Sequence, residues 1–192
     1  MKIKEELILK FRKLQTIISV LLFFMVLIFF VNVTDFHITE IQISKWGTLN
    51  AIGWVFNISL VVLSISTFAN SFLYIKNNKR ILDKKKLYLI FGFVSFTLFV
   101  TGVFDVKSFY TIHNISAFLY FFSYPLAIFL MAYINRVNIS YREWLFHLIT
   151  SISMIIIPLF LMSQFNGMAI SEIVHSSFVV FWHLSILNKR LN

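Results

Sequence analysis

The chain has no cysteine among its 192 residues, which excludes disulfides, thiolate metal sites and cysteine nucleophiles. Charge is scarce too, at 13% of residues, and acidic groups are the scarcer kind, with 8 Asp and Glu against 17 Lys and Arg. Proline occurs twice, as Pro125 and Pro158, and the five glycines form no Gly-x-Gly-x-x-Gly. A Walker loop, a Gly-x-Ser-x-Gly and a His-Glu-x-x-His are also missing. The chain therefore carries no signature for ATP-driven transport or for the common hydrolases.

Apolar residues are what the chain has in excess. They make up 59% of it, and the mean hydropathy is +0.84. A single soluble core of this length cannot hide so much apolar surface, so the chain needs lipid as its solvent. The apolar residues come in blocks long enough to cross about 30 Å of hydrocarbon at about 1.5 Å per residue. Six such blocks predict an all-α integral membrane bundle of six transmembrane helices, in one domain. They run from about Leu14 to Val33, Asn50 to Ile75, Leu87 to Phe104, His113 to Ile134, Trp144 to Met162 and Ser171 to Leu187. Before them, Ile3, Leu7 and Phe11 alternate with charge, as in a short basic amphipathic segment over 1–13 that leads into the first span. The first block is too long for a signal-peptide core and lacks a small-x-small cleavage site, so it is expected to stay as an anchor. Pro125 and Pro158 fall inside spans, where each predicts a local kink.

A net charge of +9 raises the question of nucleic acid, but that reading needs a basic face on a soluble module. The basic residues instead flank the apolar blocks, where anionic lipid headgroups meet them. Membrane lipids are the expected partner, and nucleic acid is not. With six spans, 15 of the 17 Lys and Arg fall on one side: Lys2, Lys4, Lys10, Arg12 and Lys13; Lys76, Lys79, Arg80, Lys84, Lys85 and Lys86; Arg136 and Arg142; Lys189 and Arg190. Only Lys45 and Lys107 fall on the other. The positive-inside rule then places both termini in the cytoplasm of a plasma membrane. The loop Asn32 to Leu49 lies outside and is expected to fold over the mouth of the bundle.

Polar side chains within lipid are costly and should face the bundle interior. Asn57, Ser64 and Ser71 recur along one face of the second span, and Ser116, Tyr120 and Tyr124 along one face of the fourth. They read as helix–helix hydrogen bonding or as the lining of a ligand cavity. At the outer ends of the spans, His37, Glu40, Asp105, His113, Glu172 and His175 fall near one membrane depth. Glu172 and His175 have the Glu-x-x-His spacing, which sets a carboxylate and an imidazole at neighbouring positions of a helix. His147 and His183 lie deeper and read as packed, hydrogen-bonded histidines.

The segment Ser44-Lys-Trp-Gly47, the Asn57-bearing span, Gly102-Val-Phe-Asp105, His113 opening a span, and Gly167 with Glu172 before the last span resemble the uncharacterised prokaryotic six-span membrane proteins grouped as domain-of-unknown-function family 998. That family looks distantly like the autophagy-modulator and lipid-remodelling membrane proteins of eukaryotes. The resemblance implies lipid handling by analogy and no established activity.

Three functions follow as expectations. The first is a non-enzymatic membrane protein that binds lipid or a partner membrane protein, or assembles with itself, through Asn57, Ser64, Ser116, Tyr120 and Tyr124. The second is a metal-dependent hydrolase of outer-leaflet lipid, in which Asp105, His113 and His175 hold zinc and Glu172 is the catalytic general base. The third is a small secondary transporter or channel. Whether the chain is an enzyme stays open at this level.

Overall fold

A computed structural model describes residues 42–48 and 53–187, with isolated positions before them at 6, 7, 10, 13, 17, 20, 21, 24, 28 and 39. A 3-10 helix, Ile43–Thr48, precedes five α-helices: α1 (Gly53–Asn77), α2 (Lys84–Val103), α3 (Tyr110–Asn135), α4 (Tyr141–Gln164) and α5 (Ala169–Leu187). All five are long and apolar enough to cross a membrane.

The expected six-helix bundle is thereby corrected to five among the described residues. The span expected from Leu14 to Val33, the segment 1–13 and both termini lie outside the described residues but for the isolated positions. The sixth rested on the apolar run from Leu14 to Val33, whose length meets the condition for a span.

Short loops make successive helices antiparallel, and their main contacts are with sequence neighbours. Each turn has a local cause. Asp83 adopts a left-handed backbone (φ 50°) just before α2, and Asn135 from the end of α3 accepts the Leu82 backbone N–H. The Ser140 hydroxyl caps α4 by accepting the Glu143 N–H at 3.2 Å. The Asp105 carboxylate accepts the Lys107 and Ser108 N–H groups at 3.0 and 2.9 Å, which folds the chain from α2 into α3.

Packing follows the logic of a lipid solvent. Large apolar side chains such as Phe96, Phe118 and Phe160 are exposed, while Ser59, Ser64, Ser66, Thr67 and Ser71 are buried along the inner face of α1. Small residues let helices approach. A Cβ on Gly102 of α2 would sit 2.9 Å from the Asn57 carbonyl oxygen and 2.9 Å from Leu60 Cβ on α1. Nearby, the Ser64 hydroxyl donates to the Ser95 carbonyl at 2.8 Å. The core centres on Trp182 of α5, which stacks on Phe91 at 5.7 Å and donates to His147 Nδ1 at 3.0 Å. Tyr124 and His183 join α3 to α5 through a 2.6 Å hydrogen bond, and the Tyr74 hydroxyl reaches Glu143 at 3.4 Å.

Candidate functional site

Two adjoining cavities lie toward the end of the bundle that carries the 3-10 helix. The first, about 120 Å³, lies among α1, α2, α3 and α5, with Leu60, Leu63 and Val179 in its apolar wall and Thr101, His113, Tyr120 and Glu172 among its polar groups. The second, about 240 Å³, lies between α3 and α4 and is lined by Phe118, Phe122, Ile155, Leu159, Met162 and Met168 among others. Ala117, Phe121 and Glu172 line both. They exceed by roughly tenfold and twentyfold the volume of about 10–15 Å³ that one water needs. Phe118, Leu159 and Met162 on the second cavity are also exposed on the lipid-facing flank.

The polar end is held from two directions. His113, in the first turn of α3, has its Nδ1 2.8 Å from the Phe104 carbonyl oxygen just beyond the end of α2. A carbonyl only accepts, so Nδ1 carries a hydrogen, and in the neutral imidazole that leaves Nε2 as an acceptor. That Nε2 is buried and has no hydrogen-bond partner. Glu172, in the first turn of α5, accepts the Ile43 backbone N–H on Oε2 at 2.6 Å. Gln42 Nε2 meets Met168 Sδ at 3.3 Å, and the Gly167 N–H donates to the Thr39 carbonyl at 2.8 Å. The described part of the expected outer loop thus rests on the α4–α5 turn, and Gln42 and Ile43 each line a cavity.

The predicted site residues separate into groups. His113, Tyr120 and Glu172 share the first cavity. Asp105 is spent on its own turn, where the Ser108 backbone N–H, its strongest influence, holds the carboxyl below the usual carboxylate range. His175 is buried with Nδ1 3.3 Å from the Met154 carbonyl oxygen and its ring 4.3 Å from that of Phe121. Among the described residues no three His, Cys, Asp or Glu side chains come together to hold a metal ion. The expected zinc set of Asp105, His113 and His175 does not assemble, which argues against the hydrolase.

The interior polar stripes largely join helices. Ser64 is bonded to Ser95, Tyr124 to His183, and Ser116 accepts from the Thr101 hydroxyl at 2.9 Å. The Asn57 Oδ1 has no hydrogen-bond partner and faces Gly47, whose Cβ would sit 2.6 Å away. Sequence reasoning passed over Thr101, Phe121 and Ile43. Phe121 and Ile43 look like any other lipid-compatible residue, and only the Ser-and-Thr pattern of α2 could have drawn attention to Thr101.

A family model described as a protein of unknown function, DUF998, matches residues 16–187. No curated protein and no solved structure matches the chain.

Proposed function

The chain belongs to the DUF998 family of proteins of unknown function, and we propose that it is a multi-pass membrane protein that binds a lipid in the paired cavities without chemically altering it. The observation that carries this reading is the junction at Ala117, Phe121 and Glu172, where two otherwise apolar cavities meet a small polar end. Ligand sites are of this kind, mostly apolar with a few placed polar groups, and they recur between the helices of bundles. The exposed rim at Phe118, Leu159 and Met162 gives a hydrocarbon chain a sideways route from the bilayer. The likeness to lipid-remodelling membrane proteins points the same way, by analogy alone.

In the same reading the basic end of the bundle, with Lys76 at the end of α1, Lys79 and Arg80 in the turn and Lys84, Lys85 and Lys86 at the start of α2, faces the cytoplasm of a plasma membrane and attracts anionic headgroups there. Of the predicted ligand residues, Tyr120 is assigned to the lipid, while Ser64, Ser116 and Tyr124 are assigned to helix association.

Native mass spectrometry after gentle detergent extraction tests the binding. Wild type is expected to retain a lipid adduct that Ala117→Leu, adding bulk where the cavities meet, depletes at least several-fold. Absence of every adduct from the wild type, or equal retention by the variant, overturns the reading.

A further inference from the structure

The polar end of the first cavity has a chemical sign that restricts which headgroup it accepts. His113 is 1% exposed, its buried Nε2 has no partner, and with Nδ1 committed to Phe104 that Nε2 is an acceptor in the neutral ring. The Glu172 carboxyl accepts from Ile43 on Oε2 and keeps further accepting capacity, since a carboxyl group holds spare lone pairs whether or not it is ionised. The remaining polar groups at the cavity, Thr67, Thr101, Tyr120 and Ser176, are neutral hydroxyls. Among the described residues neither cavity is lined by a lysine or arginine. Lys45 and Lys107, the basic residues of this end, are exposed instead.

An anionic head placed here would lie away from water with no lysine or arginine on the cavity wall to meet its charge, which is strongly unfavourable. A head that donates hydrogen bonds removes the orphaned acceptor at His113 and uses the spare accepting capacity of Glu172. We propose that this cavity selects a single-chain lipid whose head is non-anionic and carries O–H or N–H donors, and that it excludes phosphate and carboxylate heads. The inference rests on the lipid-binding reading above and adds the class of head. Leu60, Leu63 and Val179 hold the upper part of the chain, and Ala117 and Phe121 set its path toward the second cavity.

The test is competition among four lipids of one chain length, monoolein, oleylamine, oleic acid and oleoyl lysophosphatidate, added to delipidated wild type in neutral detergent and read by native mass spectrometry. Monoolein, oleylamine or both are expected to be retained at least tenfold better than the two acids, and which of them leads identifies the donor as hydroxyl or ammonium. Glu172→Gln, which puts an amide N–H donor in place of one carboxyl oxygen and keeps an acceptor, should narrow the discrimination against oleic acid. His113→Gln, which keeps a polar group there, should preserve more monoolein binding than His113→Phe, with size-exclusion profiles confirming that each variant is folded. If oleic acid or lysophosphatidate binds as well as monoolein, and Ala117→Leu abolishes that binding, the head class is wrong while lipid binding stands. If none of the four binds, both readings fall.

Discussion

His175 donates from Nδ1 to the Met154 carbonyl at 3.3 Å, and Met154 lies four residues before Pro158. That carbonyl is the one a residue without an N–H at position 158 leaves unserved in α4. A histidine on the neighbouring helix thus supplies the hydrogen that the proline lacks, as membrane helices require of a broken ladder. Replacing His175 with Leu is expected to destabilise the protein by about 1–3 kcal/mol, the usual range for leaving a buried acceptor unpaired. In a Pro158→Ala background the same replacement should be at least about 1 kcal/mol milder, because the N–H returns. A thermal-unfolding double-mutant cycle in detergent measures this, and strict additivity would show that the two residues act independently.

The bond between Glu172 and the Ile43 backbone holds the 3-10 helix over the cavities. Leaving the Ile43 N–H without its buried acceptor costs about 1–3 kcal/mol, so a cysteine at the buried Ile43 position should be labelled about tenfold faster in Glu172→Ala than in the otherwise native protein. Glu172→Gln keeps an acceptor and should retain most of the protection. The native chain has no cysteine to interfere, and an unchanged labelling rate in Glu172→Ala would mean that the carboxyl does not hold the segment.

Gly102 and Gly92 of α2 should respond oppositely to the same change. A Cβ at Gly102 meets the α1 backbone at 2.9 Å, whereas one at Gly92 has nothing nearer than a Phe68 ring atom at 3.9 Å. Gly102→Ala should lower stability by about 1–3 kcal/mol through overpacking, while Gly92→Ala should be neutral or slightly stabilising because alanine favours helix. Unfolding midpoints of the two variants, compared with wild type, decide this.

The Asp105 turn gives a pH dependence. The Ser108 N–H favours the ionised carboxyl and lowers its folded-state pKa. The stabilisation is therefore complete above the unfolded value of about 3.9 and is lost as pH falls through the lower folded value. The difference in unfolding midpoint between wild type and Asp105→Ala should stay constant from neutral pH down to about 5 and shrink below about 4. A difference that grows on acidification contradicts the assignment.

Orientation is open to the same cysteine-free background. A cysteine at Lys79, within the basic α1–α2 turn, should react with a membrane-impermeant reagent only after cells are permeabilised. One at Lys107, on the opposite end, should react in intact cells. The reverse pattern would invert the bundle.

The all-α, lipid-solvated character was legible because it depends on composition and run length, which a sequence carries directly. The site was legible in part. His113 and Glu172 were noticed as ionisable groups beside apolar spans, and they do share a cavity. Asp105 and His175 were grouped with them by membrane depth alone, and depth is one coordinate where a coordination shell needs three. The register of α5 against α4, which sets His175 on the Met154 carbonyl, is a tertiary fact with no local signal. The cavity walls of Leu, Val and Phe are hidden for a related reason, since in lipid the same residues face inward and outward.

The tie between Ile43 and Glu172 joins points 129 residues apart, whereas the helices pack mainly on their neighbours in the chain. During synthesis, α1 to α4 can therefore pair as they emerge, each new helix finding its partner already present. The 3-10 helix has no carboxyl to bind until the start of α5 leaves the ribosome. Closure of the cavity thus waits for α5, and until then its polar end stays open to the insertion machinery and to the surrounding bilayer.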